Sequence, residues 1–214
     1  MLKKWDKIWL NVLYLLGLGL LMILIGFGQD WPQRFKLIWA VAIILPIHAC
    51  EEWQLPGGFH YQYNLTMGSK LPNKYPMSRL TDMVTIVIAE IIYLGCLFFY
   101  QQTWILMALC GFSLLEVGAH TYFGIAMYHR FKNHGKKTIY NPGMASAYLG
   151  FGSLVALMIQ NIYHTGATGM DWLLTLIMLL LMALIEVILP ERIFRSPQTE
   201  FGFTSPMYFA KFLK

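Results

Sequence analysis

Five side chains in this sequence combine imidazole with carboxylate at helical spacing. His48, Glu51 and Glu52 are three and four positions apart, and Glu116 and His120 are four apart. Positions three and four apart share a helix face. Each segment is therefore expected to present a His with at least one Glu on one side. Two imidazoles with two or three carboxylates form a mixed N/O donor set that suits zinc or iron. On this reading His48, Glu52, Glu116 and His120 are metal ligands, and Glu51 is the catalytic base or a further ligand. Hydrolysis then needs only metal, water and base. Oxidation at iron is the other chemistry the set allows. Di-iron bundles use Glu-x-x-His pairs; the order and spacing differ here, and that fold is not inferred.

The surroundings of these residues make them informative. The chain of 214 residues is 57% hydrophobic and 13% charged, against about 25% charged in soluble domains. Leu10 to Phe27 contains one polar residue, Asn11, and no charge. Such a run spans about 30 Å of hydrocarbon. The pattern predicts an all-α membrane bundle of about six transmembrane helices, near 8–28, 36–54, 81–100, 104–129, 142–162 and 171–189. These form one domain, 1–214, with a loop at 55–80 and an interfacial tail at 190–214. The basic start and first apolar run resemble a signal peptide in order. The run is long, however, and no small-residue cleavage site follows, so a retained first helix is expected. Cys50, Cys96 and Cys110 all lie in or beside apolar runs, which argues against a disulfide framework. There is no phosphate-cradling glycine loop, Gly-x-Ser-x-Gly elbow or Cys-x-x-Cys pair.

Lys and Arg fix the expected topology. The flanks on one side of the six helices hold fourteen of the sixteen, and the other side holds Arg34 and Lys36. The positive-inside rule puts the fourteen in the cytoplasm, with both termini, for a multi-pass protein of the cell membrane. The net charge of +5 is thus read as topology, with no nucleic-acid partner. Pro46, inside the second helix, predicts a kink. His48 and Glu116 each lie twelve positions past the start of an inward-running helix, so both sit about 18 Å deep. Glu90 and Glu186 reach the same region from other helices. Ionisable groups at such depth are expensive and commonly functional. For Glu90 and Glu186 a hydrogen bond to a neighbouring helix is the plainer expectation. Asn64, Glu90 and Asn141 are candidates for supporting or substrate contacts, and Asn141-Pro142 reads equally well as a helix start.

Two functions fit. One is a membrane-embedded, metal-dependent hydrolase acting on a lipid or other apolar substrate from the cytoplasmic half of the bilayer. The other is a transporter or binding protein that uses the same His/Glu cluster for a cation, a proton or a cationic substrate. The enzyme is preferred because no inverted repeat is visible and the outer half is apolar. Membrane lipids are the expected surroundings, and oligomeric state is not legible.

The string His48-Ala49-Cys50-Glu51-Glu52 resembles the signature of the HXXEE membrane protein family. Pro56-Gly57-Gly58-Phe59 resembles a Pro-Gly-Gly-Phe element that follows it in that family, and Asn64 falls near the family's loop Asn. His120 resembles a His in a later helix, and Tyr140-Asn141-Pro142-Gly143 resembles a Tyr-x-Pro-Gly element. The resemblance covers roughly residues 40 to 150. It implies a small multi-helix membrane protein and names the site, but supplies no reaction.

Overall fold

The computed structural model describes residues 2–213. All regular elements are helical, and no strand occurs among the described residues. The long helices are α1 (Leu2–Phe27), α2 (Gln33–Trp53), α4 (Arg79–Cys96), α5 (Thr103–Phe131), α6 (Met144–Thr165) and α7 (Gly169–Phe194); a short α3 (Phe59–Thr66) lies between α2 and α4. Five of them, α1, α4, α5, α6 and α7, are long and apolar enough to cross a membrane. The sixth expected span, α2, has 21 residues but carries Arg34, Lys36, Glu51 and Glu52. It packs against α1, α4, α5 and α6, so its carboxylates are enclosed by protein.

Polar ties hold the two ends of the bundle. Arg34, at the start of α2, donates to Asn161 Oδ1 (3.0 Å), the Gln101 carbonyl (2.7 Å) and Thr103 Oγ1 (3.1 Å). This joins the starts of α2 and α5 to the end of α6. At the opposite end Arg79 pairs with Asp6 at 2.8 Å, joining the starts of α4 and α1. Successive long helices therefore alternate in direction, and α2 and α5 run parallel. Close approach is specified locally: a Cβ on Gly17 of α1 would lie 2.7 Å from Pro46 of α2. Large aliphatic side chains face outward on α7, among them Leu173, Leu176, Leu180 and Leu184, as a lipid-facing surface requires.

Helix ends follow side-chain chemistry. Ser78 caps α4 by accepting from Thr81 N, and Thr168 with Asp171 forms a capping box on α7. The last helix continues to Phe194, beyond the expected 189. Pro190 comes two residues after a π turn, Ala183–Ile188. The regular hydrogen-bond ladder is already interrupted there, so the missing proline N–H does not end the helix.

The tail packs on the protein, and its aromatics turn inward. Phe209 is fully buried and packs on Tyr61 and Phe131. Phe203 stacks on His60 with centroids 3.6 Å apart and meets Trp53 at 4.9 Å. Backbone bonds join Phe203 N to the Asn73 carbonyl (2.7 Å) and Arg79 N to the Phe201 carbonyl (2.8 Å). Lys136 is buried beneath Tyr208, Phe209 and Phe212 and donates to the Tyr140 carbonyl. The loop 55–78, the loop after α5 and the tail thus form one layer over the same end of the bundle.

Burial pushes the pKa of His60 down to about 3, whereas an unfolded histidine titrates near 6.5. The displaced state therefore binds more protons between these values. Docking of the tail is complete above about pH 6.5 and weakens as pH falls toward 3, by up to about 1.4 kcal/mol per unit. Limited proteolysis of the tail in detergent is expected to be faster at about pH 5 than at about pH 7. His60→Phe should flatten that dependence, and an equal dependence in the variant would assign it elsewhere.

Candidate metal centre

Parallel α2 and α5 bring the two His/Glu pairs to one level. His48 Nε2 lies 3.3 Å from Glu52 Oε1 and 3.6 Å from Glu116 Oε2. His120 Nε2 lies 3.3 Å and 3.7 Å from the same two oxygens. Each imidazole thus faces both carboxylates. A tetrahedron with metal–ligand arms of about 2.0–2.2 Å has edges of about 3.3–3.6 Å, and the four N···O separations lie close to that length. The ligand atoms of His48, Glu116 and His120 lie within 4.8 Å of one another, close enough to hold a metal ion. His48 is 4% exposed, Glu52 6% and His120 1%, so they are shielded from competing water.

The outer nitrogens of both rings are held. His48 Nδ1 is 2.9 Å from Ser146 Oγ, and Ser146 Oγ donates to Glu51 Oε2 at 2.6 Å. With its own proton engaged, Ser146 accepts from His48 Nδ1–H. That tautomer leaves the Nε2 lone pair directed at the carboxylates, the form a metal ligand needs. His120 Nδ1 lies 3.5 Å from Asn141 Oδ1, and Asn141 Nδ2 donates to the His120 carbonyl at 2.9 Å. Gly143, at φ +90°, sits against this ring; a Cβ there would overlap His120. The glycine serves both the backbone turn and the close contact.

Glu51 does not join the cluster. It accepts from Tyr140 OH (3.0 Å), Ala145 N (3.1 Å), Ser146 N (2.7 Å) and Ser146 Oγ. Four donors occupy the acceptor sites of one carboxylate, so it has no capacity left as a general base. The cause is angular: adjacent helical residues diverge by about 100°, which turns Glu51 toward α6 when Glu52 faces α5. Glu51 instead caps the N-terminus of α6, where a negative charge is favoured. Burial and this carboxylate raise the Tyr140 pKa, so the phenol remains a donor.

Asn64 also lies apart from the cluster. It accepts from Met77 N (2.7 Å) and donates to the Pro72 and Met77 carbonyls (both 2.8 Å), stapling the loop after α3. Glu90 is buried with both oxygens unpartnered and does not line the cavity beside the cluster. The Pro-Gly-Gly-Phe element turns the chain back toward the site. Gly57 N and Gly58 N donate to the Glu51 and Glu52 carbonyls at 3.0 and 2.9 Å, and the Phe59 ring lies 5.2 Å from that of His120. Ser146 and Asp82 carried no legible signal. Ser146 matters only through its spatial neighbours, and Asp82, in the first turn of α4, reads as a helix-start acid.

A cavity of about 230 Å³ opens beside the cluster. His48, Glu52, Glu116 and His120 line it with Asp82 and Glu186; the rest is mainly apolar, including Ile86, Phe112, Phe123 and Phe151, with Tyr63, Thr85 and Tyr93 among them. Glu116 has the longest separations and is 26% exposed at its side chain, which makes it the most displaceable member.

A family model described as "Protein of unknown function with HXXEE motif" matches residues 39–159, a stretch that contains His48, Glu52, Glu116 and His120. No curated protein and no solved structure matches the chain.

Glu51→Gln removes one acceptor from a set of four buried donors. It is expected to lower stability by about 1–3 kcal/mol, read as a reduced melting temperature in detergent. An unchanged melting temperature would rule out the capping role.

Proposed function

Because the chain belongs to the family of proteins with an HXXEE motif, and that motif supplies half of a four-ligand cluster, we propose that it is a membrane-embedded, metal-dependent enzyme. His48, Glu52, Glu116 and His120 bind one zinc or iron ion. The activity is hydrolysis of a lipid or other apolar substrate from the cytoplasmic half of the bilayer. The supporting observation is the set of four N···O separations of 3.3–3.7 Å on the wall of a mainly apolar cavity. A bound ion in such a site supplies Lewis acidity and lowers the pKa of water.

The chain's own groups supply the rest. Ser146 and Asn141 orient the two imidazoles. Glu116 is the ligand that yields a position. With Glu51 engaged elsewhere, two cavity carboxylates stand outside the cluster, Asp82 and Glu186, and Asp82 is assigned as the proton acceptor: it is 3% exposed, and its Oδ2 has no hydrogen-bond partner. The aromatic and aliphatic walls exclude bulk water and strengthen electrostatic interactions inside. The fourteen Lys and Arg at one end support a cytoplasmic location for the loop-and-tail layer and both termini. Cation or proton transport is the second reading, favoured by the unpartnered buried carboxylates of Glu90 and Glu186.

Elemental analysis of detergent-purified protein is expected to find about one transition ion per chain. His48→Ala and His120→Ala should each abolish it, and Gly143→Ala should reduce it by displacing His120. Zinc favours hydrolysis and iron favours oxidation. Metal-free protein after chelator-free purification would put the transport reading first.

A further inference from the structure

Glu186 occupies a place that the metal reading does not use. It is 1% exposed, and both carboxylate oxygens lack a hydrogen-bond partner. It lines the same cavity as the His/Glu cluster. Met182, Glu186 and Pro190 are buried at intervals of four on a helix whose intervening residues face outward. A regular α-helix would drift by about 80° over those eight positions. The π turn at Ala183–Ile188 underwinds the helix and holds the three on one face. Such turns recur at functional sites. The local backbone is thus arranged to turn a carboxylate inward from a lipid-facing helix.

Acidic groups outnumber basic ones in the cavity. No Lys or Arg lines it, and beside Glu52, Asp82, Glu116 and Glu186 the only basic groups are the imidazoles of His48 and His120, which face Glu52 and Glu116. A divalent ion at the cluster offsets Glu52 and Glu116, and Asp82 is the proton acceptor. Glu186 is left in apolar surroundings without a partner, which is costly unless a ligand provides one. We infer that Glu186 is a substrate-recognition residue, and that the substrate is an apolar molecule bearing a basic nitrogen. This rests on the reading of the cavity as a substrate site beside a metal. The ammonium pairs with Glu186 while the hydrocarbon part fills the space between Ile86, Phe112 and Phe123.

Octylamine, octanol and octanamide test this on full-length protein at fixed detergent concentration, by titration of the thermal unfolding midpoint. A charge-assisted bond of this kind corresponds to a preference of about tenfold or more. Octylamine is expected to half-saturate at about one-tenth the concentration of the two neutral probes. Glu186→Gln should remove that preference while retaining metal, and Glu186→Asp, which keeps the charge, should retain part of it. Equal binding of the three probes, or a preference that survives Glu186→Gln, would overturn the inference. Metal content measured on the same samples separates the two proposals. Metal with no amine preference fails this inference alone; amine preference without metal fails the enzyme reading and leaves the recognition of a basic nitrogen standing.

Discussion

The Glu51 carboxylate, shared between α2 and the start of α6, is the interaction on which the site depends. It gathers two backbone N–H groups, a phenol and a serine hydroxyl. In water these donors would lose little by separating. Inside an apolar bundle each would be left unpaired, at a cost of about 1–3 kcal/mol. One carboxylate therefore fixes where α6 begins, how it sits against α2 and which nitrogen of His48 carries the proton. The geometry of the His/Glu cluster follows from a group that lies outside it.

The same logic explains why the loop-and-tail layer is elaborate at one end of an otherwise simple bundle. Phe59 and Tyr63 of α3 reach the cavity, and Gln62 donates to the Pro142 carbonyl. The tail then covers α3 through Tyr61 and His60. Buried polar contacts hold the inner layer and aromatic packing the outer one. This closes one end of the cavity with protein and leaves α1 and α7 to meet lipid with aliphatic side chains.

The motif divides its labour between faces of one helix. His48 and Glu52, four apart, meet His120 and Glu116 on α5. Glu51, one position back, serves α6. Adjacent acidic residues with distinct tasks are a direct result of the helical period, and a helix that supports two neighbours at once must carry charges that weaken its own apolarity. α2 is not one of the five helices long and apolar enough to cross a membrane, and it is packed among α1, α4, α5 and α6.

Much was legible in the residue order. Apolar runs define the helices because membrane insertion is a local energetic property. His48, Glu52, Glu116 and His120 stood out because ionisable groups at that depth are expensive, and equal distances from the starts of two helices placed them at one level. The division between Glu51 and Glu52 was not legible: both share a face with His48 within the tolerance of spacing arguments, and the partners of Glu51 lie about ninety residues onward. Nor was the inward turn of the tail, whose aromatics suit a lipid interface as well as a protein one. Sequence alone determined the elements and the costly groups, since both follow from local composition. Tertiary structure decided which carboxylate faces the two imidazoles, which one caps and which one stands alone, because hydrogen-bond partners in an apolar interior are supplied by other helices.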